Sequence, residues 1–269
     1  MSTDSLQNNV NSCTSLTDSH VHLDADAFDV DRNLVLDRAR AAGVGHMIIP
    51  ATTAAHWPRL ATLCRARPHL HGAYGLHPMF LRQHEENHLD RLPEWLDEHH
   101  AVAVGECGLD FFIDAPQADR QRHYFRRQLE IARDMQLPVI IHARRAVEEV
   151  IHTLREVGHL QGVVHSFAGS REQARQLADI GFMVGIGGPV THEQAKRLRR
   201  TVADIPLDTL LLEPDAPDQP GALHKGQRNE PAWLTEVLDV IASLRDEDAA
   251  TIAQATSANA SRLFGLRCD

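Results

Sequence analysis

The sequence predicts an α/β fold, a barrel of eight parallel strands ringed by helices, from three observations. From Leu16 onward, short apolar runs alternate with longer segments of helical spacing, the pattern of a parallel sheet with crossover helices. There are eight such runs, most of them rich in Val, Ile, Leu and Ala without alternation, as strands buried on both faces are. The length, 269 residues, matches the roughly 250 residues of a (β/α)8 barrel. Eight strands favour a closed barrel over an open sheet, and no repeat or linker divides the chain, so residues 16–269 read as one domain.

Strands are expected at 16–23, 46–51, 71–76, 101–107, 138–142, 162–167, 182–186 and 209–213. A helix over 31–42 ends at Gly43, a plausible C-cap. Over 117–135, Phe125, Leu129 and Ala132 fall on one stripe. A helix over 145–157 ends at Gly158, and one over 170–180 opens on a Ser170/Gln173 capping box and ends at Gly181. Helices over 192–201, 231–244 and 246–263 complete the chain.

Residues 1–15 are polar and lack the apolar core of a secretory signal; they read as a disordered tail. No run approaches the roughly 18 apolar residues of a membrane span. Cys13, Cys64, Cys107 and Cys268 form no C-x-x-C pair, which argues against a zinc knuckle or redox motif and for reduced thiols in the cytoplasm. The net charge of -10 counts against tight duplex binding by counterion release. It leaves room for a nuclease whose metals supply local positive charge. Neither a membrane nor an obligate protein partner is called for.

The chemistry lies where the apolar runs end. His20 and His22 are two apart, so on a strand both project from one face. The run 102–105 ends in Glu106, 139–141 in His142, 162–164 in His165, and 210–212 leads past Glu213 to Asp215. In a barrel of this type the site lies at the C-terminal strand ends, and a buried carboxylate must be paired or bind a metal. One such residue would be an ordinary satisfied core group. Six metal-capable side chains on five strands exceed what one tetrahedral ion needs and suit a carboxylate shared between two ions. The remaining histidines fall on helices, strand starts or loops and read as structural.

Ordered motifs accompany these residues: Asp18-Ser19-His20-Val21-His22-Leu23-Asp24, Gly75-Leu76-His77-Pro78, Gly105-Glu106-Cys107-Gly108-Leu109-Asp110, Val139-Ile140-Ile141-His142-Ala143-Arg144, His165-Ser166-Phe167, Leu212-Glu213-Pro214-Asp215-Ala216-Pro217 and Arg228-Asn229-Glu230-Pro231. With them the chain resembles the TatD family of metal-dependent hydrolases, known mainly as deoxyribonucleases. The resemblance implies a TIM barrel with two divalent ions (Mg, Mn, Zn or Ni) and DNA, single-stranded or with frayed ends, as substrate. It implies that His20, His22, Glu106 and Asp215 hold one ion. Glu106, His142 and His165 hold the other, with Glu106 bridging. The chain departs from the family pattern at Pro214 and Ala216, where Thr and Ser are usual, and at Ser166, where Cys or Gly is usual.

The catalytic candidates are Glu106, Asp215 as proton acceptor from the attacking water, and His77, to orient the phosphate or protonate the leaving group. Arg144 suits a phosphate oxygen through its fork, with Arg145 behind it, and Asn229 is a further substrate-contact candidate. Asp24 and Asp110 are placed to orient ligating histidines or to cap the segments that follow. Glu213 lies deeper than Asp215 and is expected to hydrogen-bond rather than ligate. Two other readings compete: an amidohydrolase-like enzyme cleaving an ester or amide, such as a D-aminoacyl-tRNA deacylase, and a non-catalytic binding protein on the same scaffold. Glu106 on the fourth strand argues against the branches of that superfamily that bridge their metals with a modified lysine.

Overall fold

A computed structural model describes residues 15–266. The tail expected over residues 1–15 falls outside the described residues except for Ser15, as do Cys13 and Cys268; Cys64 and Cys107 are free thiols. The strands are β1 (Leu16–Asp18), β2 (Val44–Pro50), β3 (Leu70–Tyr74), β4 (Ala103–Asp110), β5 (Val139–Arg144), β6 (Gly162–Val164), β7 (Phe182–Ile186) and β8 (Leu210–Leu212). They form one parallel sheet in chain order. Ser19 N–H donates to Leu212 O at 3.0 Å across the remaining seam, so the sheet curls into the expected TIM barrel.

The ring of helices is α1 (Arg32–Ala41), α2 (Trp57–Arg65), α3 (Glu86–Glu98), α4 (Ala118–Met135), α5 (Val147–Val157), α6 (Arg171–Ala178), α7 (Lys196–Asp204), α8 (Leu234–Arg245) and α9 (Ala249–Phe264). The Ser170/Gln173 capping box forms in both directions. Two helices lack a counterpart in the sequence reading. In α2, Pro58 stands in the first turn, where no backbone donor is required. In α3, Pro93 reads as a breaker, yet Leu89, Leu92 and Leu96 bury one stripe and hold the helix to the barrel. Among the described residues no helix is long and apolar enough to cross a membrane.

The strands sort their side chains by parity. Ile48, Ala73, Ala103, Ile140, Val163, Met183 and Leu211 form one buried cluster, closed below by Ala260, Leu263 and Phe264 of α9. Their neighbours Met47, Ile49, Val104, Val139, Ile141, Val164, Val184, Leu210 and Leu212 join the larger layer between strands and helices. Two residues on from the inner set come His142, His165 and Glu213, so the chemistry sits directly on the inner core. Parity from Ala103 would turn Glu106 outward. The register of β4 against β5 shifts between Val104 and Cys107, and this one-residue bulge re-aims the carboxylate inward.

β1 and β6, like β2, β3 and β8, end earlier than expected, so His20, His22 and His165 lie just past their strands, and Asp215 follows β8. Their backbone pairing continues nonetheless: Val21 N–H donates to Ile48 O and His165 N–H to Ile141 O, both at 3.0 Å.

The close approach of β4 to β5 needs Gly108, whose φ is +141° and whose added Cβ would lie 2.0 Å from His142 O. Gly108→Ala is therefore expected to cost more than about 3 kcal/mol, a steric insult at a special backbone position. Thermal unfolding would read this as a midpoint lowered by roughly 6–10 °C; an unchanged midpoint would refute the packing argument.

Candidate metal centre

Glu106 organises the site. It is 1% exposed, and its two oxygens face different partners. Oε1 lies 2.7 Å from His165 Nε2, 2.9 Å from His77 Nε2 and 3.1 Å from His142 Nδ1. Oε2 lies 3.2 Å from His20 Nε2 and 3.5 Å from His22 Nε2. Asp215 Oδ1 completes that side at 3.7 Å and 3.8 Å from the same two nitrogens. The six expected ligand residues thus converge from five strand ends, three donors on one side of Glu106 and two on the other.

Tautomers separate ligands from donors. His22 Nδ1 is 3.2 Å from Pro50 O; a carbonyl only accepts, so Nδ1 carries the proton and Nε2 turns its lone pair to the centre. His142 Nε2 donates to Asp110 Oδ2 at 2.9 Å, leaving the Nδ1 lone pair facing Glu106. His77 is the reverse case. Its Nδ1 accepts from Met79 N–H at 3.1 Å, so Nε2 bears the proton and donates to Glu106 Oε1. His77 is thus a hydrogen-bond donor where His22 and His142 are lone-pair donors. Asp110 orients His142 and also caps its own loop, accepting from Phe112 N–H at 2.8 Å.

The electrostatics follow burial and crowding. Burial would raise the Glu106 carboxyl, but His77, His165 and His20 outweigh it and hold it well below the usual carboxylate range. Burial pushes Asp215 up to about 6 and brings His77 down to about 4. Burial, then His165, hold His20 well below its ordinary value. At His165 burial acts downward, yet Glu106 and Glu213 draw the group well above its ordinary value. Positive charge beside Glu106 is therefore favoured.

The donor set fits divalent cations. Glu106 Oε2 is buried without a hydrogen bond, although two imidazole nitrogens 3.3 Å apart face it. A buried carboxylate oxygen left so is costly; a cation among imidazole and carboxylate donors satisfies all of them.

Outside this core, Glu213 is buried and accepts from Ser166 N–H and, at 3.4 Å, from Ser19 Oγ. Asn229 is 2% exposed. Its Nδ2 donates to Pro214 O at 2.6 Å and Asp218 O at 2.7 Å, while its Oδ1 accepts from Glu230 N–H. Both N–H groups of that amide are engaged in clamping the loop that carries Asp215. A cavity of 1270 Å³ opens over the centre, with Asp24, Phe80, Phe111, Arg144, Arg145 and Arg197 among its lining residues. The guanidinium carbons of Arg144 and Arg145 stand 3.9 Å and 4.3 Å from the ring centre of Phe112, a cation–π arrangement.

Sequence reasoning missed Gln121 and Gln128, both buried on α4. Gln128 accepts from Leu76 N–H at 2.7 Å and donates to Leu76 O at 3.1 Å, gripping the segment just before His77. Gln121 does the same to Asp110, at 2.7 Å and 2.8 Å. Their signal was spacing: two amides seven residues apart, on one helix face.

A family profile described as TatD related DNase matches residues 17–265. The chain belongs to the TatD family of metal-dependent hydrolases. It is 41% identical over 252 residues to the Escherichia coli K12 protein named uncharacterized metal-dependent hydrolase YjjV, covering 93% of this chain and 97% of that one. The crystal structure of YjjV, a TatD homologue, superposes with a TM-score of 0.91 at 39% identity, covering 95% of this chain and 99% of that one. A Cronobacter sakazakii protein named 3'-5' ssDNA/RNA exonuclease TatD is 35% identical over 254 residues, covering 92% and 97%.

Gln128→Leu would orphan both backbone groups of Leu76, each worth about 1–3 kcal/mol when left unsatisfied. A lowered unfolding midpoint is expected, and full stability would show that water replaces the amide.

Proposed function

We propose that this TatD-family chain is a two-metal phosphodiesterase, a deoxyribonuclease acting on single-stranded or frayed DNA ends. The observation that carries the reading is the division of Glu106, with Oε2 toward His20, His22 and Asp215 and Oε1 toward His142 and His165. One carboxylate serving two donor sets is the arrangement of a bridged ion pair. Two divalent ions held there would lower the pKa of a bound water and stabilise both oxygens of a displacement at phosphorus.

The protein groups then divide the remaining work. Asp215 accepts the proton of the attacking water. His77 directs its Nε2–H, fixed by Met79 N–H on its other side, at Glu106 Oε1; with cations holding that carboxylate, the same donor would be free to meet a phosphate or leaving oxygen. Arg144, exposed at the rim, meets a non-bridging phosphate oxygen, and its stacking on Phe112 limits the rotamer freedom lost on binding. The nuclease names of relatives such as the Cronobacter protein support this substrate class.

The test is hydrolysis of end-labelled single-stranded DNA by metal-stripped protein with Mg, Mn or Zn restored. Stepwise shortening should return with metal and fall at least about 100-fold in Glu106→Ala, the scale of losing a single transition-state contact. Metal binding without cleavage would overturn the nuclease reading and direct the search to aminoacyl esters. Arg144→Ala is expected to raise KM about tenfold, as for one charge-assisted hydrogen bond of roughly 1.4 kcal/mol; a fall in kcat alone would place this arginine in the chemical step instead.

A further inference from the structure

We infer that Gln219 is a positioning residue for Asp215, itself braced by the hydroxyl of Ser166; this rests on the reading of Asp215 as a metal ligand. Asp215 lies just beyond β8 with φ of 56°, a left-handed conformation that Asp tolerates. Its Oδ1 faces His20 and His22. Its Oδ2 accepts from Gln219 Nε2, four residues along the chain. The other end of that amide, Oε1, lies 2.9 Å from Ser166 Oγ.

The direction of this relay follows from the donor inventory. An ionised carboxylate only accepts, so the amide must turn its NH₂ to Asp215. That leaves the amide oxygen toward Ser166, and an amide oxygen also only accepts, so Ser166 donates. Asp215 therefore fixes which way the Gln219 amide stands, and the Ser166 hydroxyl braces it there by donating to the amide oxygen.

The loop gives Gln219 little freedom to leave. Asp218 N–H donates to Asp215 O at 2.9 Å, and Asn229 holds Pro214 O and Asp218 O together. On the far side Gln219 O packs so close to Gly188 that a Cβ there would meet it at 2.1 Å. With Oδ2 committed to Gln219, Asp215 offers a cation Oδ1 alone, as a one-oxygen ligand. Oδ2 keeps a second acceptor site for a proton. The relay also spans the centre, because Ser166 follows His165, on the Oε1 side of Glu106, while Asp215 stands on the Oε2 side.

Partners of this kind are worth about 10- to 100-fold in metal affinity or activity. The experiment is calorimetric titration of zinc into metal-stripped protein: wild type, Gln219→Leu, Ser166→Ala, the double variant, and Asp215→Ala as reference. Gln219→Met is the alternate should the leucine variant fail to fold. Unfolding midpoints confirm that each variant is intact. Asp215→Ala should lose one binding event. Gln219→Leu should keep both and weaken one about 10- to 100-fold. Ser166→Ala should weaken the same event less, and the double variant should match Gln219→Leu, because the two groups act in series. Wild-type zinc affinity in Gln219→Leu or Gln219→Met, with Asp215→Ala defective, would overturn the positioning role and leave the metal reading standing. Wild-type affinity in Asp215→Ala would overturn the metal reading itself, and the positioning role with it.

Discussion

One buried carboxylate sets the terms for the whole C-terminal face of the barrel. An isolated ionised carboxylate in an apolar interior would be neutralised by protonation. Glu106 instead stays ionised because imidazole nitrogens approach both of its oxygens, the nearest at 2.7 Å. Those imidazoles come from β5 and from the segments following β1, β3 and β6, so the charge is stable only when the barrel is assembled around it. The bulge in β4 turns this side chain inward, and Gly108 lets the re-registered strand lie against β5. Backbone irregularity on one strand thereby becomes a convergence of side chains from four others.

Convergence alone does not make a ligand set; the lone pairs must point inward. That is settled one bond further out, by groups of the barrel wall. The carbonyl of Pro50 on β2 takes the Nδ1 proton of His22, and Asp110 on β4 takes the Nε2 proton of His142. Met79 N–H occupies the Nδ1 lone pair of His77, so this ring turns an N–H and not a lone pair toward Glu106. Three histidines within one cavity thus acquire two different chemical roles from backbone and carboxylate partners, not from their positions alone. Gln121 and Gln128 reach inward from α4 to the ends of β4 and β3, so helix packing and site geometry are mechanically linked.

The strand order and the residues that converge were legible because parallel strands buried on both faces leave apolar runs, and a polar residue ending such a run stands out. Glu106, His142 and His165 were visible on that ground alone. The inward turn of Glu106 was not, because a bulge changes pairing without changing composition. Helix α3 was hidden by Pro93, whose local effect is outweighed by the leucine stripe beneath it. Asn229 was visible as a polar residue in a motif, but whether its amide faced substrate or backbone depended on which carbonyls the β8 loop would bring to it. Gln219 carried no signal, since its role exists only once Ser166 and Asp215 are adjacent in space.

The loop after β8 shows how the departures at Pro214 and Ala216 are accommodated. Proline at 214 removes a backbone donor, but the groups the loop uses there are acceptors: Pro214 O takes the Asn229 amide and Ala216 O takes His22 N–H at 2.8 Å. Ala216 is fully buried, where a hydroxyl would need a partner of its own. Apolar side chains at both positions therefore leave the backbone network intact while withdrawing side-chain hydroxyls from the vicinity of Asp215. The Gln219 amide, braced by Ser166, supplies a donor to Asp215 from within the same loop. The requirement at this end of the barrel is a held carboxylate, and here a donor from the same loop reaches the oxygen turned away from the histidines.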